Sequence, residues 1–241
     1  PYPEEMNWRM AGVLADLHFA PTPAARDNLL AEHTPAADIY VTGNTVIDAL
    51  LWAAEHSVLS PDYAWVDELG GPLILVTAHR RENWGEPLHQ ACLGMRDLLE
   101  RVPHAHLVYA VHRNPVVRET AQAVLGDHPR VRLIEPPDYF DFVQLMKRAR
   151  LILTDSGGIQ EEAPSLGVPV LVLRDTTERP EAITAGVAKL LGCDRARIAE
   201  EGARLLLDEV AHAAMARAAN PYGDGTAARR IAEILVERFG Q

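Results

Sequence analysis

A chain of 241 residues, 48% hydrophobic and 24% charged, is large enough to bury a core as one large or two small globular domains. Its formal net charge of −11, with no basic stripe, argues against a nucleic-acid partner. No apolar run reaches the roughly 18 residues that span a bilayer, no signal-peptide pattern opens the sequence, and the two cysteines make no disulfide framework, so we expect a cytoplasmic protein.

Helices and one short strand are predicted before residue 57. The helices cover residues 3–17, 23–30 and 44–56, and the strand covers residues 39–41. Thr22 and Pro23 form the pattern of an N-cap followed by a proline at the first helical position, and Asn44 is suited to cap the third helix. The next stretch, residues 57–71, is rich in Ser, Pro, Asp and Gly, which is typical of a linker.

Beyond the linker, apolar strands alternate with helices. The predicted strands are residues 73–77, 107–111, 131–134, 151–154, 170–173 and 188–191. The predicted helices are residues 87–102, 115–125, 141–149, 159–166, 179–185, 196–207, 210–219 and 226–239. Continuously apolar strands that alternate with helices indicate βαβ units and a parallel sheet with helices on both faces. Ligands bind such a sheet at the carboxyl ends of its strands, so we expect function in the segments that follow them.

The segment after the strand 151–154 combines two glycines with an acid. Ser156, Gly157 and Gly158 lie where a strand turns into a helix; glycines let a backbone approach a ligand closely, and N–H groups at a helix start attract phosphate. Glu162 lies one turn further on, where a carboxylate can accept both hydroxyls of a ribose. The alternative is an ordinary strand-to-helix turn with Glu162 on the solvent face.

Cations and polar side chains follow two more strands. The run 77–82 carries His79 and Arg80; Arg grips phosphate oxygens in a bidentate manner, and His moves protons near neutral pH. The run 174–181 is suited to hold a sugar or a phosphate. The alternatives are a solvated charge run for the first segment and helix-start chemistry for the second.

Two further candidates have strong structural alternatives. His112 stands at the end of the strand 107–111, but a lone histidine is more often structural. Phe142 lies in the helix 141–149, where an aromatic ring either stacks on a base or packs in the core. We predict no metal site, because His104 and His106 alternate along a strand without further ligands.

Several long motifs, in order along nearly the whole chain, resemble UDP-N-acetylglucosamine 2-epimerases of the non-hydrolysing bacterial type. They are residues 3–7, 41–48, 79–83, 153–169, 173–181 and 220–225. The resemblance implies an α/β, GT-B-like fold with two Rossmann-like domains and the active site in the cleft between them. It divides the chain into a remnant of the first domain (1–42), a UDP-binding domain (43–224) and a last helix that packs back across the cleft (225–241).

The reaction that the resemblance implies is inversion at C2 of UDP-N-acetylglucosamine to give UDP-N-acetylmannosamine. UDP is eliminated to leave a 2-acetamidoglucal, and UDP then adds back with the opposite configuration at C2. Neither a metal nor a nicotinamide or other cofactor is needed. The implied partners are these two nucleotide sugars and a second copy of the chain in a homodimer, with no nucleic acid and no membrane.

The resemblance also implies roles for particular residues. The catalytic residues are Glu4 and His79. The residues that bind UDP or substrate are Phe142, Ser156, Gly157, Gly158, Glu162 and Arg179. The residues of a second, activating UDP-N-acetylglucosamine site are Arg80 and His112.

Position 1 is Pro, and the family's Gly-x-Arg-Pro-Glu, Gly-Asp-Thr and Glu-Ala-Gly-x-Arg motifs do not occur in this sequence. We therefore expect these residues to lack part of the active site, to bind UDP, and to be inactive alone. The alternatives are a GT-B glycosyltransferase with a UDP-sugar donor, a UDP-binding module, and a hydrolysing relative that releases the free sugar.

Overall fold

A computed structural model describes residues 4–240, and of Glu4 only its place in a helix. The strands are β1 His18–Ala20, β2 Ile39–Val41, β3 Leu73–Thr77, β4 His106–Ala110, β5 Val131–Ile134, β6 Ala149–Thr154, β7 Val170–Val172 and β8 Ala188–Leu190. The helices are α1 Glu4–Leu14, α2 Pro23–Ala31, α3 Thr45–His56, α4 Glu86–Arg101, α5 Pro115–Leu125, α6 Tyr139–Arg148, α7 Gly157–Glu162, α8 Pro180–Thr184, α9 Arg195–Leu207, α10 Glu209–Ala216 and α11 Ala227–Phe239.

The predicted elements agree with these ranges to within three residues at either end, apart from three differences. The helix predicted over 3–17 ends at Leu14, because the chain then enters β1, a strand that the sequence did not predict. The predicted linker contains a 3-10 helix, Pro61–Glu68. The helix predicted over 159–166 begins earlier, as α7, and continues as the 3-10 turn Ala163–Leu166.

The chain forms two compact units. Unit 1 combines the residues up to Ala49 with those from Pro221, and unit 2 is Leu50–Asn220. The division at 42/43 and 224/225 into a remnant, a UDP-binding domain and a returning helix stays a prediction. In the described part of the chain, no helix is long and apolar enough to cross a bilayer.

In unit 1, the loop before α3 is fastened to the loop before α11. Gly43 has a φ of +89°, and a Cβ there would stand 3.2 Å from the Cα of Gly223, so only glycine allows this approach. The next N–H, of Asn44, donates to the carbonyl of Tyr222 at 2.7 Å. The carboxylate of Asp48 accepts from two N–H groups in the first turn of α11, at 3.1 and 2.9 Å. The motifs 41–48 and 220–225 therefore meet as structural partners.

Unit 2 is a six-stranded parallel sheet in the order β5-β4-β3-β6-β7-β8. The chain starts in the middle at β3, builds outward to β5, and returns to place β6 on the other side of β3. The order therefore reverses between β3 and β6, and a crevice for ligands opens at such a point of reversal. Thr77 and Thr154 are partners at the ends of these two strands, with hydroxyl oxygens 2.7 Å apart.

Alternating side chains of the strands are buried on both faces of this sheet. Ile74 and Val76 belong to a core cluster with buried residues of α4, α5 and α9. Leu73 and Leu75 are equally buried and point to the opposite face. Helix α6 packs against β3 and β6. Helices on both faces explain why the inner strands are largely apolar.

Candidate active site at the ends of three parallel strands

A buried carboxylate organises the point where β3 and β6 end. Asp155, the first residue after β6, is 0% exposed. Its Oδ2 accepts hydrogen bonds from the backbone N–H groups of His79 and Arg80, at 2.9 and 2.8 Å, and from Nδ2 of Asn83 at 3.1 Å. Because a buried carboxylate needs such donors, Asp155 fixes the backbone of the cationic segment after β3.

The ring of His79 lies beside this carboxylate and reaches the surface. Its Nδ1 is 3.4 Å from Oδ1 of Asp155, and its side chain is 41% exposed. The ring stacks on that of His112, with centroids 5.5 Å apart and planes 17° apart. Nδ1 of His112 accepts a hydrogen bond from the backbone N–H of Asn114 at 3.1 Å. The structure thus brings together two histidines that the sequence assigned to neighbouring sites.

The two glycines at the start of α7 have no structural reason to be glycines. Neither has a positive φ. A Cβ on Gly157 would meet nothing closer than Nη2 of Arg80 at 3.9 Å, and one on Gly158 nothing closer than the hydroxyl of Ser156 at 3.9 Å. Ser156 occupies the N-cap position without a side-chain capping bond. The backbone here is open to a ligand, and the guanidinium of Arg80 lies next to it.

Glu162 lies at the other end of α7, and its side chain is buried rather than solvent-facing. Only 8% of the residue is exposed. Burial raises the pKa of Glu162 to about 7, a hydrogen bond from Tyr139 opposes this shift, and the charge of Glu161 adds to it. The hydroxyl of Tyr139 donates to Oε1 of Glu162 at 3.5 Å. A carboxylate held away from water is poised to accept hydrogen bonds from a ligand.

Aromatic side chains of α6 lie near this acid. Phe142 is half-buried and stands one turn after Tyr139, which makes the contact with Glu162. Phe140, between them, is exposed and lies with its ring 6.5 Å from that of Trp52. The sequence selected Phe142 and missed Tyr139, although both belong to one helical turn.

The segment after β7 is held by a buried cation. Arg174 is 7% exposed; its Nε lies 2.8 Å from a carboxylate oxygen of Glu82, and its two terminal nitrogens lie 2.7 and 2.9 Å from the carboxylate of Glu178. The bond from Arg174 lowers the pKa of Glu178 to about 2, against the opposing effect of burial. Arg174 therefore ties the segment after β3 to the segment after β7.

Arg179 is engaged with protein groups. Its Nε bonds a carboxylate oxygen of Glu161, which is buried, and its backbone N–H donates to the hydroxyl of Thr177 at 3.0 Å. That hydroxyl donates in turn to Oε1 of the buried Gln160, at 2.6 Å. The guanidinium lies beside α7, next to the acid that precedes Glu162.

The remaining predicted site residue, Glu4, lies outside the described residues as far as its side chain is concerned. Within the residues that are described, no three His, Cys, Asp or Glu side chains are grouped so as to hold a metal ion. Besides Tyr139, the sequence assigned no role to Asp155 or Arg174. The signal that was available is that each is charged and lies within two residues of the end of a strand of the six-stranded sheet.

Comparison with known proteins places the chain in a family. A family model described as UDP-N-acetylglucosamine 2-epimerase matches residues 1–236. The UDP-N-acetylglucosamine 2-epimerase of Escherichia coli (strain K12) is 51% identical over 243 residues, which cover 98% of this chain and 64% of that protein.

Solved structures show the same likeness. The UDP-GlcNAc 2-epimerase from Neisseria meningitidis bound to UDP-GlcNAc is 45% identical with a TM-score of 0.88, over 98% of this chain and 66% of the other. The S. aureus MnaA–UDP co-structure is 45% identical with a TM-score of 0.92, over 100% of this chain and 66% of the other. The chain spans less than two thirds of the length of these relatives. The GT-B-like α/β fold class predicted from the sequence is confirmed.

Proposed function

The chain belongs to the UDP-N-acetylglucosamine 2-epimerase family, and from that premise we propose that the ends of β3, β6 and β7 bind the UDP part of UDP-N-acetylglucosamine. In the complete protein, we propose, this site serves the interconversion of UDP-N-acetylglucosamine and UDP-N-acetylmannosamine. The observation that carries the proposal is a pair of glycines that the protein itself does not require, one turn before a buried carboxylate.

The glycines fit the diphosphate. At an unstrained position glycine costs about 0.4–1 kcal/mol of stability relative to alanine, because it loses more conformational entropy on folding, so a pair of them in uncrowded positions needs a reason outside the protein. A ligand that approaches the backbone at Ser156, Gly157 and Gly158 supplies that reason, because a Cβ would stand in its way. Arg80, beside Gly157, adds a positive charge for the phosphates.

Glu162 fits the ribose. Both hydroxyls of a ribose are donors, and a carboxylate presents acceptor oxygens to both at once. The hydroxyl of Tyr139 already donates to Oε1, which orients the carboxylate before a ligand arrives. Phe142, half-buried on the same helix, is the proposed neighbour of the uracil. If Glu162 binds the ribose in this way, we expect the site to prefer ribonucleotides to deoxyribonucleotides.

Arg179 and His79 are proposed to act on the phosphates and the sugar. Arg179 is paired with Glu161 in this structure, and a guanidinium has further N–H groups with which to bind an anion while that pair persists. His79 is half-exposed and lies beside Asp155. Arg80 and His112 were assigned to a second, activating site; their positions next to Gly157 and His79 support a location that adjoins the diphosphate.

The proposed reaction removes and returns one proton. A base takes the proton from C2, the C1–C2 double bond forms, and the C1–O bond breaks to release UDP. Re-addition of UDP at C1, with a proton delivered to the opposite face of C2, completes the inversion. Of the residues in this chain, those around α7 hold the departing diphosphate, His79 moves a proton or stabilises the leaving charge, and Glu4 is the proposed carboxylate at the sugar. A cytoplasmic location and a homodimer complete the proposal.

Calorimetry with UDP tests the binding site. We expect UDP to bind the chain equally well with and without EDTA. Glu162→Ala should weaken binding by roughly 1–3 kcal/mol, because the ribose hydroxyls lose their acceptor. Glu200→Ala, which removes an exposed acid of α9, is the matched control and should change nothing. Equal affinities of the wild type and Glu162→Ala would remove Glu162 from the ribose site.

A further inference from the structure

The two oxygens of the buried Asp155 carboxylate face different groups. Oδ2 accepts all three hydrogen bonds, from the N–H groups of His79 and Arg80 and from Asn83. Oδ1 is buried and accepts no hydrogen bond from any residue that the structure describes, yet Nδ1 of His79 lies 3.4 Å from it. One oxygen thus holds the backbone, and the other is left opposite an imidazole nitrogen.

A carboxylate oxygen that is buried without a donor is costly, and an imidazole N–H is a donor of the right kind. We propose that Asp155 is a positioning residue for His79. The Nδ1–H of His79 donates to Oδ1, so that Nε2 is the nitrogen presented to the substrate. Only the identity of the group that meets Nε2 rests on the function proposed above; the orientation of the ring does not.

One face of the His79 ring is covered as well. His112 stacks on His79, and its own Nδ1 is occupied as an acceptor by the N–H of Asn114. Nδ1 of His112 therefore carries no proton and does not compete for Oδ1. The indole N–H of Trp84 donates to the carbonyl of His79 at 3.2 Å, which anchors the same residue from its backbone side. Separate groups therefore act on His79: His112 sets the plane of its ring, Trp84 anchors its backbone, and Asp155 selects its tautomer.

This arrangement gives His79 a defined chemistry. A neutral imidazole with its proton on Nδ1 has its lone pair on Nε2, which can accept a proton from a reacting group. When Nε2 takes up a proton, the charge of Asp155 stabilises the imidazolium that forms. Without Asp155, His79 is free to place its proton on Nε2 and to turn away from the site.

The Asp155→Asn variant separates this role from the anchoring of the loop. The side-chain oxygen of Asn takes the place of Oδ2, because the opposite orientation would set an NH2 group against two backbone N–H groups. The NH2 group then faces Nδ1 of His79, which must become an acceptor with its proton on Nε2. Nitrogen-15 NMR of the histidine rings reports this exchange directly, and the missing signals of His79→Gln identify His79 among the 10 histidines.

Spectra of the wild-type chain, recorded at about pH 8.5 where an ordinary imidazole is neutral, should show His79 protonated at Nδ1. Asp155→Asn should show it protonated at Nε2, with a thermal midpoint that confirms folding. An Nε2–H tautomer in the wild type overturns the proposal even if the variant does not fold. An unchanged tautomer in a folded Asp155→Asn overturns it too, because Asp155 would then only anchor the loop.

Binding of UDP gives a second readout. We expect Asp155→Asn to weaken UDP about tenfold, which corresponds to 1.4 kcal/mol, and to cause no further loss in the His79→Gln background. An equal loss in both backgrounds contradicts a role through His79. If the wild type does not bind UDP at all, the proposed function fails, while the tautomer measurement still decides the role of Asp155.

Discussion

At the scale of single residues, Gly157 offers a test in which stability and binding move in opposite directions. Alanine there meets no protein atom closer than 3.9 Å and adopts an ordinary φ. Gly157→Ala should therefore raise stability by about 0.4–1 kcal/mol, because alanine loses less entropy on folding. UDP affinity should fall by roughly tenfold, because the Cβ separates the phosphates from the backbone.

Urea unfolding and calorimetry on the same sample measure the two effects of Gly157→Ala. Gly70→Ala is the control, since Gly70 has no atom within 4 Å of its Cβ position and lies outside the site. It should leave UDP affinity as it is. A stable Gly157→Ala protein with wild-type affinity would show that no ligand approaches the backbone at this point.

The raised pKa of Glu162 predicts that the charged form of this side chain lowers the stability of the folded chain. Below the ordinary pKa of 4.5 the acid is protonated in both folded and unfolded chains; as pH rises toward about 7, only the unfolded chain loses the proton. The folded state thus loses stability over this window, and the penalty stays constant above it. The cause is first of all burial of the charge.

Glu162→Gln removes that penalty, since an amide has no charge to bury. We expect its thermal midpoint to exceed that of the wild type at about pH 8.5 and to approach it at about pH 4.5. UDP should bind the variant less tightly at high pH, where the carboxylate is the better acceptor. Glu200→Gln, an exposed acid, serves as the control. A midpoint difference that does not depend on pH would contradict the buried charge.

At the scale of elements, the start of α11 depends on an acid from α3. Asp48 accepts from the N–H groups of Ala227 and Ala228, in the place of an N-cap. Asp48→Ala should therefore cost about 1–2 kcal/mol of stability. Hydrogen exchange of these two amides should speed up, with less change in β3 and β6. Glu55→Ala, at an exposed position on the same helix α3, should leave α11 as protected as before.

The elements were predictable where a repeating pattern runs over enough residues. The four inner strands of unit 2, β4, β3, β6 and β7, are buried on both faces along most of their length, so their composition alone indicates a parallel sheet. Strand β1 has three residues and no such pattern, and it exists because it pairs with β2. Boundaries at α1 and α7 shifted because the neighbouring strand or turn decides where a helix ends.

The sequence predicted the position of the candidate site but not the contacts between its side chains. A place at the strand ends follows from the sheet. Ser156, Gly158 and Glu162 were candidates for phosphate and ribose from their residue types, and the family resemblance implied the same roles. The contact of Asp155 with His79 depends on the register of β3 against β6, which no local pattern reveals. The ion pairs of Arg174 likewise join segments that are distant in sequence.

At the scale of the whole molecule, we expect the 241-residue chain to bind UDP without converting the nucleotide sugar. The chain covers 64% of the E. coli relative, and three family motifs do not occur in it. Proton NMR of UDP-N-acetylglucosamine with the purified chain should show no UDP-N-acetylmannosamine. A longer protein that contains those motifs should form it and, in deuterium oxide, label C2. Rapid conversion by the 241 residues alone would show that this chain holds every catalytic group.

The hydrogen bond from Asn44 to Tyr222 also determines the order in which the two units can fold during biosynthesis. A ribosome makes Asn44 and Asp48 before unit 2 and makes their partners after it. Until then the carboxylate that caps α11 has no helix to cap, while every strand of the six-stranded sheet has already emerged. Unit 2 can therefore fold during translation, whereas unit 1 can close only after the segment that contains Tyr222 and α11 has emerged from the ribosome. A stalled chain that ends before Pro221 would display the first unit open and the second complete.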